Sequence, residues 1–236
     1  MTALPPPLTI AHRGASGYVT ENTLASISKA LELGAQWIEI DAQWAHEQAY
    51  LLHDRTLMRI ASLDKSIAEL THEEIIKVAL PHNTTIPTLD DAVALMRGKC
   101  SLNLELKGNP PVGHVAQKIQ SLLDSGWTRD TLLVSSFNHS LLAELHALLP
   151  DAPLAPIIYG QLIDELAVTT ALRASTVCLD INLVTTHRVA KFHDKQIRVF
   201  VFTANEVRDI DAMIQCGVDG IISNYPDRVD ARKANF

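Results

Sequence analysis

Short apolar runs alternate with helix-patterned stretches along the whole chain, and this alternation limits the fold more than any other feature. The runs fall at residues 9–12, 37–43, 101–107, 131–134, 154–158, 176–179, 197–202 and 220–222. Asn22 or Thr23 caps a first helix in which Leu24, Ile27, Ala30 and Leu31 share a face, and Gly34 stops it. Thr88 caps another that runs through Met96, and later helices are expected at 112–123, 140–149, 162–172, 186–191 and 206–216. One helix per strand argues a parallel sheet. Eight strands in 236 residues argue an α/β fold closed as a (β/α)8 TIM barrel. A doubly wound open sheet is the alternative, but no glycine-rich phosphate fingerprint follows the first run.

The same pattern gives a single domain over residues 1–236, with a small insertion after the second strand at approximately 55–86. The run Tyr50-Leu51-Leu52 pairs back as a hairpin or extends the sheet. Within the insertion, 67–70 and 73–78 read as short helical pieces, and the segment is too short for a core of its own. Pro5-Pro6-Pro7 forms a stiff lead-in to the first strand.

Charge and composition narrow the function. The net charge is −7 and no basic run tracks a phosphate backbone, so nucleic acid is not expected as a partner. No apolar run approaches the length of a membrane span, and the N-terminus lacks the basic and apolar regions of a signal peptide. A cytoplasmic protein is expected, with the oligomeric state left open. Cys100, Cys178 and Cys216 are widely spaced and odd in number, which favours buried free thiols over a disulfide or zinc framework.

The chemistry concentrates where the early strands end. Strand alternation puts Ile38 and Ile40 on one face and Trp37, Glu39, Asp41 and Gln43 on the other. On the strand at 101–107, Asn103, Glu105 and Lys107 share a face. A parallel sheet is covered on both faces, so Glu39, Asp41 and Glu105 need either a cation or a hydrogen-bonded salt-bridge cluster, with Arg13 and Lys107 as partners. Three oxygen donors without a nearby cysteine suit one hard divalent cation, Mg²⁺, Ca²⁺ or Mn²⁺. His12 and His53 each end a strand and could divide general acid and base work, while His72, His114, His146 and His193 read as solvated. With Arg13 and Lys107 on the same rim, the set suits a phosphate ester. His12 and Arg13 reach one site only if the chain bends there, which Gly14 permits.

His12-Arg13-Gly14, Glu21-Asn22-Thr23, Glu39-Ile40-Asp41, His53-Asp54 and Glu105-Leu106-Lys107 resemble, in order, the motifs of the glycerophosphodiester phosphodiesterase family in its bacterial cytoplasmic form. Ser135-Ser136-Phe137, Phe202-Thr203-Ala204-Asn205 and the segment Gly217 to Ile222 are similar to its later landmarks. The resemblance runs from Ile10 to Pro226 and implies a TIM barrel with an insertion after the second strand. It implies metal-dependent hydrolysis of small glycerophosphodiesters, such as glycerophosphocholine or glycerophosphoethanolamine, to sn-glycerol 3-phosphate and an alcohol. By the same resemblance, His12 and His53 are the acid–base pair. Glu39, Asp41 and Glu105 hold the metal. Arg13, Lys107 and Phe202 contact the substrate.

Three departures stand out. Phe202 occupies the position of a family tryptophan, keeping an apolar wall without the indole N–H. Ser223-Asn224-Tyr225-Pro226 stands where Thr-Asp is common, and the turn Ala45 to Ala49 lacks Asp-Gly. The first bears on substrate preference, and the other two on loop geometry. The rival readings are a barrel that binds phosphorylated ligands without turnover, and a relative acting on a larger diester such as a lysophospholipid.

Overall fold

The computed structural model describes residues 5–233, so the first four residues of the N-terminal stretch lie outside it. The first hundred residues contain β1 (Leu8–His12), α1 (Leu24–Glu32), β2 (Trp37–Ala45), β3 (Gln48–Leu51), α2 (Met58–Ala61), α3 (His72–Ile75) and α4 (Leu89–Met96). Then come β4 (Ser101–Leu106), α5 (Val112–Asp124), β5 (Leu132–Ser136), α6 (His139–Leu148), β6 (Leu154–Ile158) and α7 (Glu165–Ala171). The chain continues through β7 (Thr176–Asp180), α8 (Thr186–His193), β8 (Arg198–Phe202), α9 (Val207–Cys216), β9 (Gly220–Ser223) and α10 (Pro226–Lys233). Strands β1, β2 and β4 to β9 pair in parallel, and β9 returns to β1, closing the expected eight-stranded barrel. The remaining strand, β3, is antiparallel to β2 across a two-residue turn in which His46 takes φ 57°.

Side-chain alternation separates two cores. Ile38, Ile40, Leu102 and Leu104 pack outward against the helices, whereas Ile10, Trp37, Leu133, Phe200 and Ile222 fill the barrel. Gly220 makes room for this filling: a methyl group there would lie 2.6 Å from Phe200 Cδ1 and 2.9 Å from Ile10 Cδ1. The helices begin where short polar side chains satisfy free N–H groups. Thr23 and Ser26 form a reciprocal cap on α1, and Thr88 and Asp91 do so on α4. Helix α7 starts later than its apolar pattern predicts, because Asp164 is the residue that caps it. Helices α2 and α10 have no counterpart in the sequence reading; each is short, and α10 is strongly polar.

The insertion packs on the β2–β3 hairpin. Leu57, Ile67, Leu70, Ile75, Leu80 and Ile86 do bury one another, but the cluster is completed by Ala45, Tyr50 and Leu52 from the β2–β3 hairpin. Residues too few for a core of their own make one by borrowing a neighbouring wall. Histidines expected to be solvated also take structural bonds: His72 Nδ1 pairs with Tyr50 Oη at 2.8 Å, and His193 Nε2 with Asp219 Oδ2 at 2.8 Å. No described helix is long and apolar enough to cross a membrane.

Candidate active site

The register of β1, β2 and β4 sets the site. His12 stands beside Glu39, and Asp41 beside Glu105, at the end of the barrel where β1 and β4 finish and β2 runs on into its hairpin. This is the face on which TIM barrels carry their chemistry. The bend needed at His12-Arg13-Gly14 is present, but it starts one residue before the glycine. Arg13 has φ 56° and Gly14 φ 75°, and a Cβ on Gly14 would lie 2.5 Å from the Ser26 backbone carbon. The turn points the Arg13 N–H at Glu39 Oε2 (2.9 Å) and brings its Nε to 3.1 Å from Asp41 Oδ2.

One oxygen from each of Glu39, Asp41 and Glu105 lies within 4.8 Å of the other two. Glu39 and Asp41 are buried, and their Oε1 and Oδ1 atoms accept no hydrogen bond. Burial first, and then the charges of Asp41 and Glu105, hold the Glu39 carboxyl well above the usual carboxylate range. Burial and Asp41 push Glu105 up to about 7. Burial also works against ionisation of Asp41, but Arg13 and Lys107 outweigh it and hold that group low. Asn22 supports the charged form by donating Nδ2–H to Asp41 Oδ2 (2.8 Å) and accepting the Asp41 N–H (3.0 Å). Lys107 Nζ sits 2.6 Å from Glu105 Oε1 and 3.5 Å from Asp41 Oδ1. Crowded, buried oxygens without donors are a chemically sound fit for a hard cation.

The two histidines are oriented by different partners. His12 Nδ1 lies 2.7 Å from Asn224 Oδ1, and its Nε2 is 3.9 Å from Glu39 Oε2. Burial and the Arg13 charge lower His12 to about 4. His53 Nδ1 lies 2.6 Å from Asp54 Oδ1. The Asn224 departure therefore touches an imidazole directly and is not confined to loop geometry. Its signal was present in the sequence as an altered motif, but only barrel closure places it beside His12.

A cavity of about 220 Å³ joins these groups. His12, Arg13, Glu39, His53, Glu105 and Phe202 line it, while Asp41 lies wholly buried behind. Phe137 meets Phe202 edge-on with centroids 6.0 Å apart, and its ring lies 5.6 Å from Lys107 Nζ. Tyr159, 73% exposed, adds an aromatic wall that the sequence did not mark. Cys178 lies at the cavity's inner end, where burial pushes its thiol up and keeps it neutral; all three cysteines are free.

The sequence profile of the glycerophosphoryl diester phosphodiesterase family matches residues 12–228. The chain belongs to this family. It is accordingly an enzyme of the phosphoric diester hydrolase class. A glycerophosphodiester phosphodiesterase of Bacillus altitudinis is 29% identical over 92% of this chain and 94% of its own length. Another, from Caldanaerobacter subterraneus, is 28% identical over 93% of this chain and 95% of its length. Among solved structures, a phosphodiesterase of Oleispira antarctica in complex with the product sn-glycerol-3-phosphate aligns over 99% of this chain and 98% of its own. Its TM-score is 0.87 at 26% identity. The family assignment agrees with the motif order from His12 to Pro226.

Proposed function

We propose that this chain hydrolyses small glycerophosphodiesters, glycerophosphocholine and glycerophosphoethanolamine among them, to sn-glycerol 3-phosphate and an alcohol. The observation that carries the reading is the convergence of two oriented imidazoles, His12 and His53, on one cavity with the Glu39 and Glu105 carboxylates. The product bound by the Oleispira relative supports the same substrate class.

Each residue then has a task. Glu39, Asp41 and Glu105 hold one divalent cation, Mg²⁺, Ca²⁺ or Mn²⁺, which when bound supplies positive charge against the phosphoryl oxygens. Arg13 lines the cavity and adds a fixed guanidinium for the same anion, with Lys107 behind it. His12 donates its Nδ1–H to a neutral amide, so its Nε2 lone pair faces the cavity and takes the proton of the attacking hydroxyl. His53 donates its Nδ1–H to the Asp54 carboxylate, which fixes the ring, and its Nε2–H goes to the leaving alcohol oxygen. The new O–P bond forms as the P–O bond to the alcohol breaks; water as the nucleophile gives sn-glycerol 3-phosphate directly, and a glycerol hydroxyl gives a cyclic phosphate that water then opens to it. Phe202 and Phe137 shape the apolar wall.

The test is release of sn-glycerol 3-phosphate from a panel of glycerophosphodiesters with each cation in turn. Chelation and Glu105→Ala should each abolish release. Full activity in either case overturns the cation assignment.

A further inference from the structure

An arginine that lies outside the cavity lining joins the two halves of the catalytic rim. Arg59 sits on α2 in the insertion, and its side chain is half-exposed. Its Nη2–H and Nη1–H groups donate to Glu21 Oε1 and Oε2 at 2.6 and 3.0 Å, a two-pronged grip. Its Nε–H donates to Asp54 Oδ2 at 2.5 Å. Both carboxylates have a second duty. Glu21 Oε1 also accepts Arg13 Nη1–H at 2.9 Å, and Asp54 Oδ1 accepts the His53 Nδ1–H at 2.6 Å.

We propose that Arg59 is a positioning residue: through Glu21 it fixes the Arg13 guanidinium, and through Asp54 it fixes the His53 imidazole. The statement rests on the reaction proposed above, in which Arg13 meets the anion and His53 moves a proton. The chain His53–Asp54–Arg59–Glu21–Arg13 links an acid–base group to an anion clamp through three middle residues that do not line the cavity. Its anchor is the insertion core: Leu57, next to α2, is fully buried there. The insertion thus sets the aim of two catalytic-rim groups from outside. The planar fork of arginine suits this task, since one guanidinium grips two carboxylates in fixed directions. A lysine would keep the charge and lose the geometry.

Half-exposed ion pairs contribute little to stability, so the expected signature is kinetic. Asp54→Asn should lower kcat with little change in KM, and Glu21→Gln should mainly raise KM. Arg59→Met should do both, reducing kcat/KM by about 10²-fold, the cost of a misaimed group. In Asp54→Asn/Arg59→Met, kcat should fall little below that of Asp54→Asn alone, because both changes release the same imidazole. Arg59→Lys should lie between wild type and Arg59→Met, and it serves if the methionine variant does not fold.

A second arm needs no turnover. In ¹⁵N-histidine NMR of the full chain, the bonded Nδ1–H of His53, assigned with His53→Asn, should be present in wild type and lost or shifted in Arg59→Met. Unchanged kinetics, multiplicative loss in the double variant, or an unchanged His53 signal each overturns the proposal. A wild-type chain that turns over no glycerophosphodiester defeats the proposed reaction instead, and the NMR arm still decides the role of Arg59.

Discussion

Replacing Asn224 by aspartate should make His12 take up its proton at a higher pH than in the wild type. The Asn224 amide oxygen is 2.7 Å from His12 Nδ1, and burial together with Arg13 already lowers that imidazole to about 4. A carboxylate there places unit charges about 4 Å apart, worth about 4 kcal/mol at an effective dielectric of 20. Since one unit of pKa is about 1.4 kcal/mol, the upper bound is a rise of about three units. The existing amide bond already favours the charged form, so the net rise should be about two units. An opposite charge favours protonation, so the sign is upward. The assay is an NMR titration of the His12 ring in chelated protein, wild type against Asn224→Asp. The acid limb of turnover, measured separately with cation, should move to higher pH in the variant, because a protonated His12 accepts no proton. A shift below about one unit would refute both the electrostatic argument and the placement of Asn224 beside His12.

Three further outcomes follow from the same geometry. A divalent cation at a hundredfold excess over its dissociation constant should stabilise the chain by about 2.7 kcal/mol, or roughly 5–11 °C in melting temperature. Calorimetry with Mg²⁺, Ca²⁺ or Mn²⁺ checks this, and an equal shift in Glu39→Gln would contradict the site. Asp54 is held at about 2, first by its bond to Arg59 and then by the one to His53, against an ordinary 3.8. Its contribution to stability is therefore present above about pH 4 and is lost as pH falls toward 2. Urea melts across that window should be flatter for Asp54→Asn. Gly14→Ala should be strongly destabilised, because φ 75° and the Ser26 backbone at 2.5 Å leave no place for a methyl group; a melting temperature within a degree or two of wild type would rule this out.

The barrel was legible because its signal is periodic. Ile38 and Ile40 against Glu39 and Asp41, or Leu102 and Leu104 against Asn103 and Glu105, show by alternation which side chains face the axis. The acids, the imidazoles and the strand-end cations were legible because strand ends concentrate chemistry. Contacts that depend on closure were not. Asn224 and His12 are brought together by β9 meeting β1, and nothing local announces the pair. Arg59 was hidden for another reason: on a four-residue helix in an irregular insertion it has no pattern to belong to. The left-handed Arg13 was masked by the glycine beside it, which explained the bend too easily.

The bond between His12 and Asn224 spans 212 residues of chain. During synthesis His12 leaves the ribosome long before Asn224, and the pair can form only when β9 is complete. Long-range closure of this kind comes late in folding. A truncated or stalled chain lacking β9 would therefore carry its acids and imidazoles without an aimed His12, and unfinished copies would be held inactive. The His12 ring resonance would serve as a reporter of the moment the barrel shuts.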